Sequence, residues 1–239
     1  MHFYRQLQPI QAMTFDLDDT LYDNYPVIRH LEQQIAQWLY QHHPVTASQP
    51  MTWWNQLKWQ LADHDPWLSH DVTRWRFEQI KQGLQKLGYS PNQAKQAAQE
   101  AIEEVLRLRN LVTVPPLTHQ VLRLLAQQVP LLAITNGNVD VEQIGLSDYF
   151  QLVLKAGPDG RAKPYPDLFS KASQYLQLPA SAILHVGDHL VTDVQGAKNN
   201  GFQACWYNDR GHTLVANRDA KVLPDVEITD LSQLKVLVC

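Results

Sequence analysis

From Pro115 onward, short apolar runs alternate with helical patterns, and this alternation restricts the fold most tightly. Thr118 to Gln127 has helical spacing, followed by the apolar run Leu131-Leu132-Ala133-Ile134. Gln151 to Leu154 reads as another strand, Pro166 opens a helix carrying Leu168, Phe169, Ala172 and Leu176, and Ile183 to Val186 is apolar again. Thr192-Asp193-Val194-Gln195 reads as a capping box for a helix that stops at Gly201. Gln203 to Tyr207 is a further strand, and a C-terminal helix is expected after Val226-Glu227-Ile228. Strands alternating with helices predict a parallel sheet covered on both faces.

The segment before Pro115 has a different texture. Ala12 to Phe15 is a short apolar strand that runs directly into Asp16, Asp18 and Asp19. From about Asn24 to Val114 there is no strand signal but four helical patterns. They are Val27 to Leu39, Met51 to Ala62, Asp71 to Leu87, and one opening on the capping box Ser90-Pro91-Asn92-Gln93. This block carries six of the seven tryptophans: Trp38, Trp53, Trp54, Trp59, Trp67 and Trp75. It reads as a helical module inserted after the first strand, so 1–21 with 115–239 form one domain and 22–114 the other.

Clustered like charges at the end of a buried strand are costly to desolvate and call for a positive counterpart. Asp16 and Asp18 are two apart, so an extended backbone turns both to one side. Other strand ends bring Thr135 and Asn136, then Asp188, with Asp193 five residues further on. In parallel sheets that edge is where ligands bind. Four converging carboxylates require a cation, and oxygen ligands without cysteine or clustered histidine point to Mg²⁺. Lys163 and Thr135 are the donors a phosphoryl oxygen needs.

Composition narrows the partners. The chain has 239 residues, 44% hydrophobic and 18% charged, with net charge −4, so an anionic ligand needs a local site and a nucleic-acid surface is not expected. With no apolar leader or membrane-length apolar run, a cytoplasmic protein without membrane association is expected. Two cysteines, Cys205 in an apolar run and Cys239 at the end, do not make a disulfide framework. His185 reads as a core histidine, Cys205 as a small core residue, and the tryptophans as mostly packing within the helical module. His189, next to Asp188, carries no assigned role.

Taken in order, Asp16-Leu17-Asp18-Asp19-Thr20, Thr135, Lys163-Pro164 and Gly187-Asp188-x4-Asp193 resemble the four motifs of the haloacid dehalogenase (HAD) superfamily. The resemblance implies a three-layer Rossmann-like core with strand order 5-4-1-2-3 and a C1-type helical cap. Carried over by residue, it implies Asp16 as the nucleophile forming an aspartyl-phosphate and Asp18 as general acid and base. Mg²⁺ would be held by the Asp16 carboxylate, the Asp18 backbone carbonyl and Asp188, with Asp193 orienting the metal's waters or Lys163. Thr135, the Asn136 amide and Lys163 would hold the phosphoryl oxygens. The superfamily's dehalogenases lack the acid at position 18, so the Asp-x-Asp form implies phosphate ester hydrolysis.

Further stretches, including His2 to Arg5, Asp16 to Asn24, His70 to Phe77, Ile134 to Asn138 and Leu184 to Asp188, resemble bacterial HAD phosphatases of ribityl phosphates. That implies FMN and 5-amino-6-(5-phospho-D-ribitylamino)uracil as substrates, with ring stacking by the aromatic-rich cap and Arg74 contacting the ribityl chain or ring carbonyls. A phosphomutase of the same fold, a promiscuous sugar-phosphate or nucleotide phosphatase, and a non-catalytic phosphate-binding protein are the competing readings.

Overall fold

A computed structural model of the chain describes residues 1–214 and 221–238; Cys239 lies outside them. The chain divides into two compact units, one of Met1–Asp23, Thr113–Gly137 and Val141–Cys239, the other of Asn24–Val112 with Asn138–Asp140. No helix among the described residues is long and apolar enough to cross a membrane.

The first unit is built on a sheet of β1 (His2–Phe3), β2 (Ala12–Phe15), β3 (Leu131–Thr135), β4 (Leu152–Lys155), β5 (Ile183–Gly187), β6 (Gln203–Tyr207) and β7 (Val226–Ile228). Its order is β1-β7-β6-β5-β2-β3-β4. Every residue of β2, β3 and β5 is buried, which explains their unbroken apolar runs: central parallel strands are covered on both faces. The five strands β6-β5-β2-β3-β4 are parallel and reproduce the expected order 5-4-1-2-3. Two further strands extend the edge. β7 runs parallel to β6, and β1 pairs antiparallel with β7, so the sheet is mixed, not purely parallel as the alternation had suggested.

Helices α5 (Pro116–Ala126), α6 (Pro166–Leu176) and α7 (Gly196–Asn199) complete this unit with several short turns. Leu168, Phe169 and Ala172 of α6 join Ala12, Ile134, Leu154, Phe202 and Trp206 in one apolar core. Two expectations need correction. Thr192-Asp193-Val194-Gln195 is not a capping box, because the helical segment already starts as a π-turn at Leu190–Gln195, capped by His189. The C-terminal segment is a 3₁₀ helix, Leu231–Leu237, capped by Asp230.

In the second unit, α1 (Tyr25–His42), α2 (Met51–His64), α3 (Val72–Lys86) and α4 (Pro91–Arg109) match the four helical patterns. The Ser90 capping box forms as read. α4 presents a face of small residues, Ala94, Ala97, Ala98 and Ala101, onto which Leu31 and Ile35 of α1 and Ile80 and Leu84 of α3 pack. Gly83 lets Trp54 lie on α3, since a Cβ there would come within 2.0 Å of the indole. Trp54 and Trp75 are thus packing residues, whereas Trp59 and Trp67 are exposed exceptions to the expected packing role.

Candidate active site

The strand ends do converge chemically. Asp16 follows β2, and its amide donates to the Val186 carbonyl at 2.9 Å, so the backbone still pairs with β5 where the buried carboxyl leaves the strand. Lys163 lies in the loop before α6, and its ammonium donates to Asp16 Oδ1 at 2.7 Å, the Ile134 carbonyl at 2.7 Å and Asp193 Oδ1 at 2.6 Å. The Lys163 backbone is clamped on both sides by the Asn136 side chain: its N–H donates to Asn136 Oδ1 at 2.7 Å, and Asn136 Nδ2 donates to its carbonyl at 3.0 Å. Thr135 is fully buried at the end of β3, with its hydroxyl oxygen accepting from the Gly137 amide at 2.9 Å.

Asp188 follows β5 and is held by two groups to which the sequence reading gave no role. Its amide donates to Thr20 Oγ1 at 3.1 Å, and the Trp206 indole donates to its carbonyl at 2.8 Å. Asp193 is engaged through both oxygens. Oδ1 takes Lys163 and, at 3.3 Å, His185 Nε2, while Oδ2 takes the His189 amide at 3.0 Å and Thr192 Oγ1 at 3.4 Å. Gly187 makes this approach possible, because a Cβ there would sit 2.4 Å from Asp193 Cγ. Asp18 accepts from the Tyr22 hydroxyl at 2.6 Å. Asp19 adopts a left-handed backbone (φ 57°), a conformation aspartate tolerates better than most residues, and pairs with Arg210 at 2.9 Å.

The electrostatics show which group the carboxylates suit. Asp16, Asp188 and Asp193 each offer an oxygen, all within 4.8 Å of one another. Three carboxylates against one lysine leave an excess of two negative charges (three minus one), the charge of one divalent cation. Burial pushes Asp193 up, but Lys163 and His185 more than reverse this and hold it well below the usual carboxylate range. Burial pushes Asp16 well up, and Lys163 offsets only part of this. Burial and then the charges of Asp193 and Asp19 raise Asp188 from 3.8 to about 7. Lys163 stays charged: burial lowers it, yet Asp16 and Asp193 together raise it. One lysine therefore neutralises Asp193 and leaves Asp16 and Asp188 wanting positive charge, so the donor set fits a divalent cation.

Residues 10–201 match the haloacid dehalogenase-like hydrolase family. The chain belongs to that family. It is a HAD-family phosphatase, and its helical insertion between the first two core strands is consistent with a C1-type cap. It is 43% identical over 238 residues to the 5-amino-6-(5-phospho-D-ribitylamino)uracil phosphatase YigB of Escherichia coli, covering 100% of both chains. It is 26% identical over 234 residues to the glyceraldehyde 3-phosphate phosphatase of Pyrococcus furiosus, covering 95% of this chain and 92% of the relative. A crystal structure described as a 2-haloacid dehalogenase from Pseudomonas syringae pv. Tomato DC3000 superposes with a TM-score of 0.90 at 38% identity, covering 95% of this chain and 97% of the other.

Arg74, expected at the substrate, directs its guanidinium to Asp65 at 2.9 Å within the helical unit, and its amide is capped by Asp71. Arg76, two residues on, pairs with Glu32 and lines a cavity of about 230 Å³ with Trp54, Lys58 and Tyr40. Thr20 lies within the first motif but was given no role there, and the contributions of Trp206 and His189 had no sequence signal of their own. Thr14 and His185 had one: a polar residue in an otherwise apolar buried strand must find a partner.

Proposed function

We propose that this HAD phosphatase removes the phosphate of 5-amino-6-(5-phospho-D-ribitylamino)uracil and of FMN through an aspartyl-phosphate on Asp16. The observation that carries the substrate is the 43% identity to the ribitylaminouracil phosphatase over the whole of both chains, helical insertion included. A small phosphorylated substrate follows from the same comparison.

In this reading Asp16 attacks phosphorus. The new bond joins an Asp16 oxygen to phosphorus while the bond from phosphorus to the ribityl oxygen breaks, and Asp18 gives that oxygen its proton. Asp18 then takes a proton from the water that attacks the same phosphorus, releasing phosphate and restoring Asp16. The Tyr22 hydroxyl fixes one Asp18 oxygen for this transfer. All three N–H groups of Lys163 are committed, to Asp16, Asp193 and Ile134. The one on Asp16 is the natural one to pass to a phosphoryl oxygen as Asp16 bonds to phosphorus. Thr135 and the Asn136 amide take the remaining phosphoryl oxygens. The carboxylates of Asp16 and Asp188 and the Asp18 carbonyl would hold Mg²⁺, which would neutralise phosphoryl charge when bound. Asp193, already engaged by four protein groups, serves Lys163.

The similarity to a structure described as a dehalogenase favours a second reading, release of halide from a 2-haloacid. Asp18 and the cation-demanding carboxylates weigh against it, since displacing halide needs neither a leaving-group acid nor a metal. The deciding experiment measures phosphate release from the two ribityl phosphates, glucose 6-phosphate and nucleotides beside halide release from 2-chloropropionate. The ribityl phosphates are expected to have the higher kcat/KM. Equal kcat/KM for glucose 6-phosphate removes the substrate assignment, and halide release without phosphate release removes the phosphatase mechanism.

A further inference from the structure

A buried polar chain lies beneath Lys163 and takes no part in the steps above. Thr14 and His185 are the polar residues of β2 (Ala-Met-Thr-Phe) and β5 (Ile-Leu-His-Val-Gly), and they sit side by side in the parallel register. Thr14 Oγ1 is 2.8 Å from His185 Nδ1, His185 Nε2 is 3.3 Å from Asp193 Oδ1, and that same oxygen takes Lys163 at 2.6 Å. Lys163 then reaches Asp16, two residues beyond Thr14 on the same side of its strand. The chain thus begins and ends on the nucleophile's own segment. Thr14, His185 and Asp193 are at most 1% exposed.

We infer that Thr14 and His185 are positioning residues: Thr14 selects the tautomer of His185, His185 pins the Asp193 carboxylate, and Asp193 holds Lys163 against Asp16. This rests on Asp16 as nucleophile and Lys163 as its cationic partner. An ionised Asp193 can only accept, so Nε2 of His185 carries a hydrogen. Burial keeps the ring neutral, which leaves Nδ1 as an acceptor and makes the Thr14 hydroxyl the donor. Phe169 packs edge-to-face against the His185 ring, with centroids 5.2 Å apart. Apolar residues would fill this space at less desolvation cost, so the polar chain points to a role beyond packing. With His185 on one oxygen and the His189 amide on the other, the Asp193 carboxylate cannot rotate, and the lysine it anchors is held in one place.

The test uses isosteric and donor-retaining substitutions in the full chain, assayed with p-nitrophenyl phosphate at saturating Mg²⁺ and well below each variant's Tm. This substrate makes the outcome independent of the ribityl assignment. Thr14→Val keeps the shape and removes the hydroxyl, and kcat is expected to fall about 3- to 10-fold, the worth of one net hydrogen bond. His185→Asn withdraws the donor from Asp193 and is expected to cost ~10–100-fold, as for groups that orient a functional ligand from behind. Thr14→Ser and His185→Gln, which restore a hydroxyl and a donor at about the Nε2 position, are expected to recover most of the loss. KM is expected to change little, because the ground-state phosphate contacts survive. Combining Thr14→Val with His185→Asn should add almost nothing to His185→Asn alone. Unchanged kcat in folded Thr14→Val and His185→Asn overturns the inference. So does equal impairment of Thr14→Ser and Thr14→Val, which would assign the effect to packing. Turnover by Asp16→Asn would instead bring down the underlying reading, a result distinct from both.

Discussion

The strand ends of the sheet unit and the helix surfaces of the helical unit hold their ion pairs in opposite ways. In the sheet unit the Lys163 and Asp193 side chains are 1% exposed and their partners are fixed on several sides. In the helical unit the Arg74–Asp65 pair is 51% and 42% exposed, and Arg107–Glu104 is a surface pair along one helix. Exposed pairs contribute about 0–1 kcal/mol, whereas removing one partner of a buried pair costs ~3–5 kcal/mol. The buried Lys163–Asp193 charges are therefore retained at a cost that only chemistry offsets, while the exposed pairs of the helical unit are nearly free to vary. Catalysis should concentrate in the first and substrate preference in the second.

Asp16→Asn is the severest way to try to break that contrast. It keeps the shape but removes the proposed nucleophile and one proposed cation ligand, so turnover of any phosphomonoester should vanish with the fold intact by circular dichroism. Steady-state turnover in a contamination-free preparation would end the covalent mechanism. Asp18→Asn comes next, with a loss of at least the ~10²–10⁴ typical of acid–base catalysis. The defect should be larger for ribityl phosphates than for p-nitrophenyl phosphate, whose leaving group needs no proton; equal defects would deny Asp18 that role.

A smaller effect concerns stability. Asp188 is raised from 3.8 to about 7 in the folded protein, so the stability it contributes is complete below pH 3.8 and is lost as pH rises through 7. Asp16, raised in the same direction, adds to this. Without metal the protein should weaken between pH 5 and 8, and Mg²⁺ should restore more Tm at pH 8 than at pH 5, where protons already occupy the carboxylates. Thermal melts in EDTA and in Mg²⁺ decide this, and a larger gain at pH 5 contradicts the cation-site reading. The smallest effect is expected at Arg74. Arg74→Ala should cost no more than about 1 kcal/mol of stability, as for an exposed pair, yet raise KM for FMN more than for p-nitrophenyl phosphate. Parallel changes in both KM values would leave the helical unit without this specificity contact.

The same contrast explains what was legible in the sequence. β2, β3 and β5 announce themselves because buried parallel strands are unbroken apolar runs, and the residues just past their ends are where a chain can place polar groups. The Ser90 box is legible because capping is local. Thr192–Gln195 has the same local pattern and does not cap, since His189 had already started the helix and the Asp193 carboxylate is bound to Lys163 and His185. β1 and β7, two and three residues long, carry no periodicity to read. The joining of Thr14 to His185 depends on parallel register between strands far apart in the chain, which no spacing along one segment encodes.

β2 pairs on one side with β3 and on the other with β5, so a strand made early is completed by strands made much later. During synthesis the Ala12–Phe15 run must wait unpaired while the whole helical segment emerges, and Asp16 gains its lysine only after residue 163 and its last carboxylate neighbours only after residues 188 and 193. The helices, whose partners are near in sequence, can close early, whereas long-range strand pairing is slow because loop closure precedes its reward. Nascent chains stopped short of β5 should therefore carry a helical insertion and no active centre, with the apolar β2 run as the segment most dependent on protection from aggregation.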